Sequence, residues 1–224
     1  MIEIITSTNR HLYKYELSRM FEMRYDVAVN ELGWSIPDIE KNYDLDEFDH
    51  DETVYFLSFD KDRNIIGTAR LNPTTRPHLM SEVFPGLCRF KGVPVSPEIY
   101  EYSRFLVRKR GVDRAENIRV QAHISLAIVE YCLAAKISQI SWLTYRRSYP
   151  LALRMWKTRP LGFPQYFEED DAHYIAAISD MTPESLRRTR DLAHIQHPVS
   201  NILLPIEYAP SLALLNKPQK LNFG

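Results

Sequence analysis

The chain has 224 residues, 45% of them hydrophobic and 25% charged, with a formal net charge of −1; this suits one folded α/β domain whose core needs neither disulfide nor metal. The near-balance of charge excludes a global basic field for nucleic acid, and Cys88 and Cys132 stand outside any CxxC pair or zinc-ligand spacing. No apolar stretch is long enough to span a bilayer and the first residues lack the basic start and long apolar run of a signal peptide, so a soluble cytoplasmic protein is expected, with neither membrane nor nucleic acid as partner.

Residues 1–5 read as a first strand. Over residues 8–32 the apolar side chains Leu12, Tyr15, Met20, Met23, Val27 and Val29 suit one or two amphipathic helices. Residues 33–52, with Gly33, Pro37 and a run of Asp and Glu, form a long loop of the kind that carries function. A β-hairpin follows over 53–72, with turn chemistry at residues 60–64. Pro73, Pro77 and Pro85 then interrupt the chain. Residues 99–107 read as a strand, with Tyr100, Tyr102 and Arg104 on one face and Glu101, Ser103 and Phe105 on the other. Polar side chains on both faces are unusual for a core strand.

The clearest helix spans 115–136, with Ile118, Ala122, Leu126, Val129 and Leu133 as its apolar stripe. A strand at 137–145, a short helix at 149–156 and a strand at 172–179 follow. Thr182 and Pro183 mark a helix start as N-cap and first helical residue. The prolines past residue 197 set off a tail, so a single domain is expected over 1–197 with a C-terminal tail over 198–224. Strands and helices alternate after the leading hairpin, which gives an α/β fold, a three-layer sandwich with a mixed, mostly antiparallel sheet.

The phosphate loop GxxxxGKS/T, the GxGxxG turn and the GxSxG elbow are absent from the sequence. The histidines are scattered; His194 and His197 lack a third ligand nearby and read as a solvated helix end. What stands out is a dispersed set in the first half: Arg24, Trp34, Asp46, Asp49, Arg70, Phe84, Glu101 and Arg104. Taken singly, each has a structural reading. Arg24 suits a solvated helix, Trp34 a core anchor, the aspartates turns or caps, and the strand arginines ion pairs.

Taken together, the set resembles the acyl-homoserine-lactone synthases. The matching text is Met23-Arg24, Leu32-Gly33-Trp34, Asp46-Glu47-Phe48-Asp49, Arg70-Leu71-Asn72-Pro73-Thr74, Met80 through Phe84-Pro85, and Glu101-Tyr102-Ser103-Arg104-Phe105. Farther on, Pro160-Leu161-Gly162-Phe163-Pro164 resembles the Gly-Pro turn before the family's last strand. The resemblance covers about the first 165 residues. One departure is Ala28, where the family usually has Phe, which thins the expected aromatic wall.

The resemblance implies an N-acetyltransferase-like fold and a two-step reaction. The amine of S-adenosylmethionine attacks an acyl thioester, and the methionine carboxylate then closes the lactone and expels methylthioadenosine. The substrates are small molecules, acyl carrier protein is a possible donor partner, and no separate cofactor or metal is called for. For S-adenosylmethionine the candidates are Arg24, Trp34, Asp46, Asp49, Arg70, Phe84 and Arg104. An indole face suits the sulfonium, carboxylates suit the ammonium or ribose, and guanidinium suits the carboxylate. Glu101 is the candidate base, with partnership to Arg70 or Arg104 as its structural alternative. Ser103 is placed with it, and backbone N–H groups near residues 103–105 are the candidate oxyanion donors. Phe105, Trp142 and Thr144 are candidates for the acyl slot, with ordinary core as the alternative. The bulk of Trp142 and Tyr145 suits a short, branched or aromatic acyl group. Arg108, Lys109 and Arg110 suit the phosphates of coenzyme A or an acidic carrier protein, or simply a solvated turn. The text of residues 92–99 and 161–165 resembles the acyl-CoA-using subgroup. Acylation of a different amine, or a non-catalytic ligand sensor, are the other readings of the same residues.

Overall fold

The structure is a computed structural model and describes residues 1–34, 36 and 42–200. Strand β1 (Ile2–Ile5) leads into helix α1 (Lys14–Tyr25), which continues as a π-helical segment over Asp26–Glu31. Then come β2 (Val54–Phe59), β3 (Ile65–Pro73), the one-turn helix α2 (Leu79–Glu82), β4 (Ile99–Val107) and α3 (Arg114–Ala134). The chain continues with β5 (Gln139–Tyr145), α4 (Tyr149–Met155), β6 (Lys157–Pro160), β7 (Gln165–Phe167), β8 (Ala172–Asp180) and α5 (Pro183–Ala193).

The strands form one eight-stranded sheet in the order β1-β2-β3-β4-β5-β8, with β6 and β7 both pairing β8. Every pairing is antiparallel except β4 with β5. Helices cover both faces, as expected for three layers. On one face Ile124, Leu126, Ile128 and Leu133 of α3 pack with Phe56, Leu71, Ile140 and Trp142 of the sheet. On the other, Leu17, Met20, Phe21 and Met23 of α1 pack on Tyr55, Leu57 and Leu106, and Met80 of α2 packs with Ala176 and Ile178. Each such aliphatic or aromatic side chain stabilises the fold by about 1.5–3 kcal/mol through burial.

The apolar stripes are narrower than the sequence pattern. Leu12, Tyr15 and Ile118 are largely exposed, because α1 starts only at Lys14 and α3 is covered mainly over its C-terminal half. β6 and β7 carry no readable period in four and three residues. Thr182 caps α5, accepting from Ser185 N at 3.2 Å, and His194 closes it with a left-handed φ of 55°. The body extends past residue 197: Ile2 N donates to Val199 O at 2.8 Å, and the buried Glu130 accepts from Val199 N and Ser200 N. The rest of the expected tail, 201–224, lies outside the described residues.

Two irregularities prepare the site. The β4–β5 pairing stops at Tyr102 opposite Trp142, although both strands run on, so the sheet opens between Ser103–Val107 and Leu143–Tyr145. Within β4, Thr68 faces Leu106 while Arg70 faces Ser103, and Arg104 has φ 51°. This is a β-bulge: two β4 residues stand opposite Ala69, and the extra one takes a left-handed conformation that side chains adopt reluctantly. The bulge corrects the alternation read from the sequence. Arg104 joins Glu101 and Ser103 on the α1 face, whereas Phe105 turns to the α3 face and packs against Tyr102, ring centroids 5.7 Å apart.

Candidate active site

On the α1 face three arginines and three aspartates interlock. Arg24, fully buried, donates to Asp44 at 3.1 and 3.2 Å and to Asp49 at 2.9 Å. Arg70 reaches both oxygens of Asp46, stands 3.0 Å from Asp49 and donates from Nε to Ser103 Oγ at 3.1 Å. Arg104 donates to Asp44 at 3.0 and 3.2 Å and to Asp46 at 2.9 Å. The formal charges cancel, which is the condition for burying so many ions. Burial alone pushes the Asp49 carboxyl up, but Arg70 and Arg24 more than offset it and hold it well below the usual carboxylate range. Asp44 is likewise lowered against its own burial by Arg24 and Arg104.

Access divides the network. The side chains of Asp44, Asp49, Arg24 and Arg70 are at most 1% exposed, whereas Asp46 is 19% and Arg104 9% exposed. Arg24, Asp49 and Arg70, candidates for S-adenosylmethionine binding in the sequence, are sealed inside the network. Tyr55 adds to it, donating to Asp49 at 3.0 Å and accepting from Arg10 at 2.9 Å. Asp46 and Arg104 are the members presented to solvent.

Glu101 lies on the same face at the root of the opening and is 2% exposed. Its carboxylate accepts from Met80 N at 2.6 Å and Leu79 N at 3.2 Å. Burial pushes its pKa up; His78, Arg70 and the two backbone N–H groups pull the other way without cancelling that rise. A carboxyl poised in this way exchanges a proton nearer neutral pH than an ordinary glutamate.

Trp34 follows the π-helical segment. Gly33, with φ 73°, turns the chain there, and Trp34 N donates to Ala28 O at 2.9 Å. The indole N–H then bridges the opening, donating to Tyr145 Oη at 3.0 Å. Tyr145 packs at a tilt on Tyr174 with ring centroids 4.7 Å apart, Tyr174 meets Phe167 edge-to-face at 5.4 Å, and Phe167 meets Phe84 edge-to-face at 5.7 Å. Phe84 and Trp34 thus stand at the two ends of one run of aromatic side chains.

The α3 face is apolar. Trp142, Tyr149 and Trp156 pack together, with Trp142 Nε1 donating to Ser179 Oγ at 2.8 Å. Tyr102 and Phe105 line the β4 side, and Thr144 shares the face of Trp142 by strand period. The opening therefore has the polar network on one face and a packed apolar cluster on the other. The basic run stands apart: Arg108 pairs with Asp26, Arg110 donates to Asn30 O, and Lys109 N binds Glu31, while the Lys109 side chain is exposed.

A sequence model of the autoinducer synthase family matches residues 8–180. An isovaleryl-homoserine lactone synthase of Bradyrhizobium diazoefficiens is 35% identical over 195 residues, 87% of this chain and 84% of that protein. The chain belongs to the autoinducer synthase family. Like the other members it is an acyltransferase, an acyl-homoserine-lactone synthase. Among solved structures, the CoA-dependent acyl-homoserine lactone synthase MesI matches with a TM-score of 0.79 at 32% identity, over 90% of this chain and 99% of that one. BjaI, a CoA-dependent synthase solved with S-adenosylmethionine and isopentyl-CoA, gives 0.77 at 32% identity, over 96% and 99%. A likeness of fold alone reaches a chain assigned as an N-acetyltransferase from Lactobacillus plantarum, with a TM-score of 0.50 at 17% identity over 81% and 99%.

Within this autoinducer synthase the sequence reading missed Asp44, Tyr55 and Tyr174. Asp44 was one acid in an acid-rich run, and only its contact with two arginines distinguishes it. Tyr55 and Tyr174 meet their partners only through the fold, so no spacing marks them. The Asp44-x-Asp46-x-x-Asp49 pattern was the one available signal. No helix among the described residues is long and apolar enough to cross a membrane.

Proposed function

We propose that this synthase acylates the amine of S-adenosylmethionine with a short branched acyl group from acyl-CoA and then closes the lactone. The observation that carries the reading is the buried Glu101 carboxyl, raised by burial, beside the Arg–Asp network at the point where β4 and β5 part. In this reading S-adenosylmethionine binds on the polar face, with Asp46 on its ammonium or ribose, Arg104 on its carboxylate, and Trp34 with the aromatic row near the sulfonium. The thioester enters the opening from the apolar face.

Glu101 takes a proton from the ammonium, directly or through one water. The free amine attacks the thioester carbon, the carbon–sulfur bond of the thioester breaks, and the proton lost from nitrogen passes to the departing sulfur, so that the amide and a free thiol form. Backbone N–H groups around the Arg104 bulge, which β5 does not pair, are the oxyanion donors in this reading. Ser103 Oγ, fixed by Arg70, is held beside them. The methionine carboxylate then attacks its own γ-carbon, the carbon–sulfur bond breaks, and neutral methylthioadenosine departs.

The crowding of Phe105, Trp142, Tyr149 and Trp156 supports a short acyl chain, as do the isovaleryl and isopentyl groups of the relatives. Residues 92–99 and 161–165 and the two CoA-dependent structures support coenzyme A over acyl carrier protein as carrier. Lys109 remains the member of the basic run open to either. Acyl thioesters are made in the cytoplasm, and the enzyme is placed there with them.

The test mixes purified protein with S-adenosylmethionine and matched panels of acyl-CoAs and acyl carrier proteins, and follows products by mass. Methylthioadenosine and lactone in equal amounts, best with branched short acyl-CoA, are expected. Thioester consumption without methylthioadenosine would make it an acyltransferase of another amine, and turnover only with carrier protein would overturn the choice of donor.

A further inference from the structure

The basic turn between β4 and α3 already holds an anion. Both oxygens of the Glu31 carboxylate are bound there: one accepts from Lys109 N at 2.8 Å and the other from Arg110 N at 3.4 Å. Two successive backbone N–H groups aimed at one anion make a concave seat of the kind that takes phosphate. Gly111, with φ 74°, turns the chain just after it. The rest of the turn is tied to the same stretch of chain, since Arg110 donates to Asn30 O at 3.0 Å and Arg108 pairs with Asp26. Asp26, Asn30 and Glu31 all belong to the π-helical segment, and the Glu31 contacts lie at the surface, where a competing anion has access. π-Helical turns are rare and are frequent at functional sites. This one also carries Trp34: Leu32 N donates to Val27 O, Gly33 N to Val29 O and Trp34 N to Ala28 O.

We propose that Glu31 is an internal stand-in for a phosphate of the acyl donor: it occupies the seat at Lys109 and Arg110 in the free enzyme and yields it to coenzyme A. This rests on coenzyme A being the carrier. The exchange is one of acceptors alone, because carboxylate and phosphate both accept from backbone N–H and no covalent bond or proton moves. A diphosphate brings more charge and more acceptor oxygens than one carboxylate, so it displaces Glu31. While Glu31 holds the seat, only the fraction of enzyme in which it has swung away binds another anion at full strength, and the apparent affinity for the donor is lowered in proportion. Donor binding also loosens Glu31 from the turn. Trp34 is fixed to the same segment by backbone hydrogen bonds, so the arrival of the donor is felt on the Trp34 side of the opening.

Glu31→Gln tests this in the full-length enzyme, since Gln keeps the length and one acceptor oxygen but removes the competing charge. Exposed charged contacts are worth about two- to fivefold in an equilibrium constant, so the Kd for coenzyme A, measured by calorimetry, is expected to fall by about that factor. An unchanged or weaker affinity overturns the proposal and makes Glu31 a structural clamp on the turn. Glu116→Gln removes an acid from the first turn of α3 without touching the seat, and its Kd should stay near wild type. Equal tightening in both variants would reduce the effect to net charge and also overturn the proposal. Hydrogen exchange on the wild-type protein gives a second reading that needs no variant: coenzyme A should slow exchange at residues 109–110 and speed it over residues 31–34. Slowing over both stretches, or no change over 31–34, overturns the displacement. Absence of any coenzyme A binding, with turnover on acyl carrier protein, would instead overturn the choice of donor, so the two failures are distinct.

Discussion

Arg104 crosses 58 residues of sequence to meet Asp46 at 2.9 Å, and it can do so only because the β4 bulge turns it onto the face of Glu101. A regular strand would direct the guanidinium into the α3 core, where a charge has no partner. One left-handed residue thus brings together Asp46 and Arg104, the two members of the network presented to solvent, and the candidate base.

The sealed and open members of the network should separate in mutants. Asp49→Asn leaves Arg24 and Arg70 short of a buried counter-charge, and a loss of about 3–5 kcal/mol is expected in denaturant unfolding. Asp46→Asn, at the partly exposed member, should cost less stability but weaken S-adenosylmethionine binding. Equal effects of the two on stability would contradict the division. Since Asp44 and Asp49 are lowered in the fold, their stabilising share is present above the ordinary carboxylate range and is lost only as pH falls through their depressed values.

Trp34→Ala removes both the indole face and the bridge to Tyr145. A cation–π contact of about 0.5–2 kcal/mol predicts a two- to thirtyfold weaker S-adenosylmethionine affinity by calorimetry. Tyr145→Phe removes only the bridge and should give the smaller effect. Unchanged affinity in Trp34→Ala would exclude the indole from the site.

Trp142→Gly opens space in the apolar cluster on the α3 face. Turnover should shift towards longer acyl-CoAs, at a stability cost of about 3–5 kcal/mol, because Trp142 is also packed core and hydrogen-bonded to Ser179. Lost stability with the chain-length profile unaltered would make Trp142 structural alone.

His123 on α3 gives a pH signature away from the site. Burial, aided by the N-terminal ammonium, Arg119 and His197, lowers its pKa from 6.5 to about 4. Between these values the unfolded chain holds the proton and the folded one does not. Stability from this group is therefore full above pH 6.5 and falls as pH drops towards 4. His123→Gln should flatten the Tm curve across that window, and an unchanged slope would refute the assignment.

Much of this was legible in the sequence, for identifiable reasons. The hairpin of β2 and β3, the long α3 and the Thr182–Pro183 helix start are local signals, and all three are found. The set from Arg24 to Arg104 was recognisable because separate blocks kept their order. What stayed hidden depends on pairing. A bulge is a mismatch between two strands, so β4 alone reads as regular alternation, and Phe105 and Arg104 were placed on exchanged faces. Asp44 and Asp49 resemble turn residues until two arginines from other elements are brought to them.

The most direct test of Glu101 as base is to measure S-adenosylmethionine affinity and single-turnover amide formation in Glu101→Gln, which keeps the volume and an acceptor for Met80 N–H. Affinity within about twofold of wild type, with amide formation slowed by about 10²–10⁴-fold, is the expected result. Collapse of affinity, with amide formation unimpaired on the fraction bound, would make Glu101 a binding residue and contradict its role in proton transfer.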